Sequence, residues 1–192
     1  MTVIGVASAS SVTRDIAEAL SRRLEDRGCE VDTLDLGKEP LPPLDPTTTY
    51  NAPYYGPLCD RAVAADVFLL ATPDYHGSMS GSLKVFLDHF WKEYAGKLFA
   101  TVVSSYDKGL TVADQIRTVA RQCYAWSMPY ALSFQERRDA TVGLENLSPE
   151  LDERMTMLAR DIAVYGAMLA ERRREDLAGE EPGFMAHYRP KN

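Results

Sequence analysis

Paired cysteines and long apolar runs are both missing from this 192-residue sequence. Its three cysteines, Cys29, Cys59 and Cys123, are odd in number and form no CxxC pair. That argues against a disulfide framework and against a zinc site; no bound metal and a reducing, cytoplasmic setting are expected. No apolar run approaches the roughly 20 residues of a membrane-spanning helix. The start, MTVIGVASAS, lacks a basic n-region and reads as a first strand rather than a leader. Positive charge is also short: Lys and Arg total 21 against 28 Asp and Glu, a net charge of −7. Nucleic-acid backbones and anionic lipid are therefore poor partners. The one basic run, ERRRE at 171–175, falls at the end of a predicted long helix, where cations suit the helix dipole.

What is present suits one globular domain with a full-sized core: 45% apolar and 26% charged residues. Apolar runs alternate with helical periodicity. TVIGVA (2–7) reads as a buried strand; Ile16, Ala17, Leu20 and Leu24 then share one helix face over 13–27, with Gly28 as the stop. EVDTLDL (30–36) mixes polar and apolar residues and suits an edge strand. The Pro- and Tyr-rich stretch 40–57 predicts an ordered surface loop, and 58–64 a short helix. Residues 66–72 and 97–104 read as central parallel strands, nearly all apolar. Between them, Leu83, Phe86, Leu87, Phe90 and Tyr94 predict a helix over 82–95, with Trp91 widening its face. Thr111 and Asp114 resemble a capping box opening a helix to about 124. MPYALSF (128–134) predicts a last strand that Pro129 confines to an edge. Leu151, Met155, Leu158, Ile162, Tyr165 and Leu169 predict a long helix, leaving 1–174 as the domain and 175–192 as an irregular tail.

This order predicts an α/β fold: a five-stranded parallel sheet, order 2-1-3-4-5, with helices on both faces. Such sheets bind ligands beyond the carboxyl ends of their strands, near the switch in strand order. The loops after strands one, three and four would form the site. The first, ASASSVTRD, has neither GxGxxG nor a P-loop, but it offers Ser8, Ser10, Ser11 and Thr13 ahead of a helix. Hydroxyls and free helix-start N–H groups suit a phosphate monoester, although plain N-capping needs one of them as well. The second, TPDYHGSMSGSLK, carries Gly77 and Gly81 for tight turning and Tyr75 and His76 as walls for a flat ring; an exposed loop histidine is the alternative for His76. Met79 stands where a G-x-S-x-G elbow needs serine, so that motif is absent. The third, SSYDKG (104–109), is either a further small-residue wall or a plain turn. Together they fit a mononucleotide with a large flat ring.

In these loops the sequence resembles the NADPH-dependent FMN reductase family, a flavodoxin-like group of flavin, quinone, azo-dye and chromate reductases. The family pattern reads approximately T-P-E-Y-N-G-S-x-P-G-x-L-K-N-x-x-D. The chain matches it at Thr72, Pro73, Tyr75, Gly77, Ser78, Gly81, Leu83, Lys84 and Asp88. The family's first loop, approximately G-S-x-R-x-x-S, is met by Ser8 and, conservatively, by Thr13. Ala7, Ser10, Asp74, His76 and Ser80 replace the family's Gly, Arg, Glu, Asn and Pro.

The resemblance implies FMN as cofactor, NADPH or NADH as co-substrate and a flat acceptor such as free flavin or a quinone. Together with the loop reading it predicts cofactor contacts from Ser8, Ser10, Ser11, Thr13, Pro73, Asp74, Tyr75, His76, Gly77, Ser78, Ser104, Tyr106 and Gly109. Backbone N–H groups of 75–78 would steady the reduced ring, and no side chain is required as an obligatory acid or base; His76 would tune the ring or touch substrate. Loss of the family's arginine at Ser10 predicts weak discrimination between NADH and NADPH, with Lys108 or an arginine from elsewhere able to restore it. A flavodoxin-type electron carrier and a flavin-free binding module stay open, the Tyr-rich loop favouring a covered pocket. The wide aromatic face of 82–95, with Tyr50, Tyr54 and Tyr55, predicts a homodimer or a dimer-built homotetramer; burial of that face within one chain is the alternative.

Overall fold

The computed structural model describes residues 1–8 and 11–189. Ser10 lies outside them, as does the side chain of Ser11.

The sheet has parallel β1 (Thr2–Ala7), β2 (Glu30–Asp35), β3 (Val67–Tyr75) and β5 (Leu98–Ser104) in the order β2-β1-β3-β5. Beyond β5 the fifth line of the sheet is in two pieces, β6 (Trp126–Ser127) and β7 (Leu132–Phe134), each parallel to β5. The expected continuous strand 128–134 is thus interrupted around Pro129. Proline has no N–H to donate into a ladder, and the break falls on the edge, where it costs least. The remaining order is as the alternation predicts, with the two polar or proline-bearing strands outermost.

Alternation along each strand divides two cores. Val3, Ala7, Val67, Leu69, Ala71, Ala100 and Val102 face α1 (Ser11–Glu25) and α5 (Pro149–Ala178), meeting Ile16, Leu20, Met155, Leu158 and Ile162. Ile4, Val6, Phe68, Leu70, Phe99 and Val103 face α2 (Tyr55–Ala64), α3 (Gly81–Asp88) and α4 (Leu110–Gln122), meeting Leu58, Leu83, Phe86 and Ile116. Both faces of β3 and β5 are therefore dry, which is why these strands read as unbroken apolar runs. On the first face Arg23 of α1 also pairs with Asp152 of α5.

Several local expectations are corrected. The helix expected at 82–95 stops at Asp88, and Lys92–Tyr94 form a short 3-10 turn. Leu83, Phe86, Leu87, Phe90 and Tyr94 are all buried inside one chain, and only Trp91, 59% exposed, is left outside. The wide apolar face is thus a core feature, not a docking surface. Tyr54 donates to His89 Nε2 at 3.1 Å, and Tyr55 stacks on Phe90, so the 40–57 segment packs beside α3. At α4 the expected capping box does not form. Gly109 is the N-cap in the left-handed region (φ 64°), with no side-chain cap. A Cβ there would sit 2.9 Å from Val103 Cγ1, so glycine is needed twice over. The long helix runs to Ala178, past the start of the expected irregular tail, and Met185 beyond it is buried.

A short strand β4 (Ser78–Met79) had no counterpart in the sequence reading. It folds back on β3, pairing Asp74 with Met79 and Tyr75 with Ser78. The two residues between, His76 (φ 57°) and Gly77 (φ 77°), are both left-handed. Two consecutive positive φ values make a type I′ turn, whose backbone twist suits a hairpin. The strained position in that turn is His76, since a side chain disfavours this region and Asn tolerates it better than His.

Two outcomes are expected. Gly77→Ala should destabilise the protein by about 1–2 kcal/mol, whereas His76→Asn should be neutral or slightly stabilising. Urea unfolding decides this, and an unchanged midpoint for Gly77→Ala would remove the left-handed turn.

The second concerns Lys97, which is 1% exposed and donates to the carbonyls of Ala62 (2.7 Å) and Val63 (2.8 Å) at the end of α2. Burial, assisted by the Arg173 cation, pulls its pKa from 10.5 to about 7. Between those values the unfolded chain holds a proton that the folded chain has released, so stability rises with pH across that window. The rise is at most about 1.4 kcal/mol per pH unit. The unfolding free energy of the parent protein minus that of Lys97→Met should therefore increase from about pH 7 to about pH 10; a flat difference would show that Lys97 keeps its ordinary pKa.

Candidate functional site

The carboxyl ends of β1, β3 and β5 bring the three loops together. At the first, Ser8 follows β1 directly and its N–H donates to Ala71 O at 3.1 Å, while Thr13 lies in the first turn of α1. Both residues are fully buried, and Ser8 Oγ and Thr13 Oγ1 have no hydrogen-bond partner among the described residues. An unsatisfied buried hydroxyl costs about 1–3 kcal/mol. Two of them at one helix start, where first-turn N–H groups also lack intrahelical partners, form a set of available donors. These donors suit an anionic phosphate.

The second loop is the β3–β4 hairpin. Asp74 Oδ1 accepts from Gly77 N at 2.7 Å, and Asp74 Oδ2 accepts from Ser105 Oγ at 2.9 Å. One carboxylate thus closes the hairpin turn and ties it to the third loop. From the other side Gln115 of α4 accepts from Ser78 Oγ (3.1 Å) and Met79 N (3.2 Å) and donates to Gly77 O (3.2 Å). At the base, Ser80 N donates to Thr72 Oγ1 (2.9 Å), and Ser80 Oγ caps α3 by accepting from Leu83 N (3.3 Å). The N–H of Gly77 is therefore engaged within the protein, which narrows the ring-facing donors expected from 75–78. Tyr75 is exposed beside the turn.

In the third loop Ser104 Oγ donates to Glu136 Oε1 at 3.0 Å, and Ser105 Oγ also accepts from Asp107 N at 3.2 Å. Tyr106 stands out at 83% exposure. Pro73, Asp74, Tyr75, Ser104, Ser105, Tyr106 and Glu136 line one small cavity, so residues expected from the second and third loops share a wall. Gly109 lies past this wall, as the cap of α4.

Sequence reasoning missed Ser105, Gln115 and Glu136. Ser105 was visible as one more small polar residue of its loop. Nothing marked Gln115 on α4 or Glu136 after β7, because their relation to the site is created by the fold. Among the described residues no group of three His, Cys, Asp or Glu side chains is placed to hold a metal, and no helix is long and apolar enough to cross a membrane.

The fold places the chain among known structures. It superposes on an NADH:FMN oxidoreductase in its apo form with TM-score 0.67, at 18% identity, covering 85% of this chain and 89% of that one. It superposes on a flavodoxin from the domain Archaea with TM-score 0.62, at 17% identity, covering 87% and 99%. At such identities these likenesses establish the flavodoxin-like fold. In sequence, an FMN-dependent NADPH-azoreductase of Staphylococcus aureus (strain USA300) is 36% identical over 97 residues, 48% of this chain and 52% of that protein. The chain spans about half the length of the curated relatives it matches. The sequence pattern described as NADPH-dependent FMN reductase matches residues 1–139, which include all three loops. On that match, which covers well over half of its length, the chain belongs to the NADPH-dependent FMN reductase family.

Proposed function

We propose that the chain is an FMN-dependent oxidoreductase that takes reducing equivalents from NADPH or NADH and delivers them to a flat acceptor such as free flavin or a quinone. The name of the staphylococcal relative adds azo compounds to the acceptor classes to try. The observation that carries the reading is the pair of buried, unpartnered hydroxyls at Ser8 and Thr13, set at a helix start beside a braced two-loop wall. A phosphate monoester satisfies both hydroxyls, and the wall suits the ring at the other end of the same molecule.

FMN, when bound, supplies the redox chemistry, accepting hydride and passing electrons on. The chain's own residues bind and orient. Ser8, Thr13 and the first N–H groups of α1 hold the phosphate, with Ser10 and Ser11 as neighbours in the same loop. Pro73 to Ser78 would flank the ring on one side and Ser104 and Tyr106 on the other, with Gly109 behind them at the cap of α4. The Asp74 and Gln115 bonds fix the hairpin in place, so little order is lost when a ligand binds. His76, at the tip of the turn, tunes the ring or meets substrate; no proton transfer is required of it.

A homodimer, or a dimer-built tetramer, is proposed with the mouth of the site at the subunit boundary. Tyr75 and Tyr106 are exposed around that mouth, and a second copy would cover them. Cys29, Cys59 and Cys123 are free thiols, which fits a reducing cytoplasm.

The absorption spectrum of the purified protein tests the assignment. A bound-flavin spectrum that bleaches on adding NADPH or NADH is expected, and heat should release mainly FMN. A protein that stays colourless after mixing with FMN would overturn the reading. One that binds FMN but leaves both nicotinamides unoxidised would be an electron carrier instead.

Replacing both Ser8 and Thr13 by alanine should weaken FMN binding while the fold persists. Each lost hydrogen bond to the charged phosphate is worth about 1.5–3 kcal/mol. Flavin fluorescence titration measures it, and unchanged affinity would place the phosphate elsewhere.

A further inference from the structure

Beyond Tyr106 a second cavity, about 250 Å³, opens on the side of β7 and the start of α5. It shares Ser105 and Tyr106 with the small cavity between the second and third loops, so the two are adjacent compartments with one aromatic lip. Their linings differ in charge. The first contains the carboxylates of Asp74 and Glu136. The second contains Lys108, Arg138 and Arg154, with Asp107 as its one carboxylate.

Three cations around one cavity are unusual for a chain of net charge −7. They come from separate elements: Lys108 from the loop after β5, Arg138 from the segment after β7 and Arg154 from the second turn of α5. Each has a different degree of freedom. The Lys108 ammonium has no ion pair or hydrogen bond among the described residues; the residue's one bond is from its N–H to Asp107 Oδ1 at 2.8 Å. Arg154 is half-buried and donates through Nη1 to Ser133 O at 2.9 Å, and its charge is felt by the Asp139 carboxylate. Arg138 is held by Asp139 through Nε and Nη2, both at 2.9 Å. The cavity therefore presents one ammonium unpaired among the described residues and one guanidinium anchored by a backbone carbonyl. Gln135 and Ser133 add polar groups to the lining.

Anchored guanidinium and free ammonium together suit a phosphoryl group, which takes several charge-assisted hydrogen bonds at once. The volume equals roughly eight waters, enough for a phosphate and part of its sugar. The exposed ring of Tyr106 at the lip gives a flat group a surface to lie on as it passes from one compartment to the other.

We propose that this cleft seats a phosphoryl group of the reducing nicotinamide dinucleotide, with Lys108 and Arg154 as its charge partners and Tyr106 as the platform leading to the ring pocket. The assignment rests on the FMN-dependent reading above. It supplies the cation that the first loop lacks at Ser10, from the far side of the site. The seat is open and its key lysine is exposed, as suits a ligand that arrives and leaves in each turnover.

The test compares the parent protein with Lys108→Gln, which alters an exposed side chain, and with Lys108→Gln/Arg154→Gln. Flavin titration comes first and should give the same FMN affinity for all three; a parent protein that does not bind FMN defeats the flavin reading without touching the cleft. Calorimetry with 2′,5′-ADP, ADP and AMP, on protein without added nicotinamide, then reads the cleft directly. The parent should bind 2′,5′-ADP or ADP, and Lys108→Gln should weaken that binding by about tenfold, equivalent to about 1.4 kcal/mol. In steady state KM for the dinucleotide should rise by a similar factor with kcat nearly unchanged, because uniform binding is removed. A loss confined to 2′,5′-ADP and NADPH identifies the 2′-phosphate as the occupant; an equal loss for ADP, NADH and NADPH identifies the pyrophosphate. If the parent binds neither 2′,5′-ADP nor ADP, or if both variants bind them and use both nicotinamides as the parent does, the proposal is overturned.

Discussion

The site depends on the carboxylate of Asp74. Its two oxygens accept from groups in different loops, Gly77 N on one side and Ser105 Oγ on the other. Each is a charge-assisted bond of the kind worth about 1.5–3 kcal/mol. Without them the hairpin turn would lose its internal closure and the third loop its tie to β3. Gln115 bonds to the same turn from α4, so the turn is held from two elements rather than hanging from its own strand. The family pattern has Glu at this position. Aspartate is one methylene shorter than glutamate and reaches the N–H three residues ahead in its own turn. This departure therefore has a local use: it helps close a left-handed turn in which His76 is a poorer fit than asparagine.

Ser80 has a similar logic. Proline, the family's residue there, has no N–H. Serine supplies one, and it goes to Thr72 Oγ1, while the hydroxyl caps α3 through Leu83 N. Two bonds thus join the base of the hairpin to the helix behind it. Asp74 and Ser80 shift part of the stiffness of this segment from backbone restriction to side-chain hydrogen bonds.

The fold was legible where burial alone decides conformation. β1, β3 and β5 are covered on both faces, so TVIGVA, VFLLAT and LFATVV read as continuous apolar runs, and the amphipathic helices between them follow from periodicity. Legibility failed where one residue's geometry decides. Strand β4 is two residues long and has no period to read. The fifth strand breaks near Pro129, although its edge position was correct. Thr111 and Asp114 carry the letters of a capping box, but the left-handed Gly109 starts α4 without them. The aromatic face ending at Tyr94 looked too wide to bury because a single straight helix was assumed; a helix stop at Asp88 and a 3-10 turn fold those side chains into the core. Among site residues, Ser8 and Thr13 were visible as part of a hydroxyl-rich run ahead of a helix; their burial became apparent only in the fold. Lys108, Arg138 and Arg154 are 46 residues apart from first to last, and only the topology makes them neighbours.

In the proposed reading, these two groups of residues would divide the handling of phosphate between them. Ser8 and Thr13 are neutral and fully buried, so a phosphate there would be held by directional bonds and a helix start, in surroundings that slow its escape. The cations of the second cleft are set around an open cavity, and Lys108 is exposed to solvent. Exposed charge acts at a distance and mainly speeds encounter, whereas buried hydrogen bonding mainly slows release. A resident mononucleotide benefits from slow release. A co-substrate that must approach an acidic protein and depart after each hydride transfer benefits from fast encounter with little retention. Placing the neutral donors deep under β1 and the cations out past Tyr106 matches each kind of phosphate contact to the residence time its ligand needs.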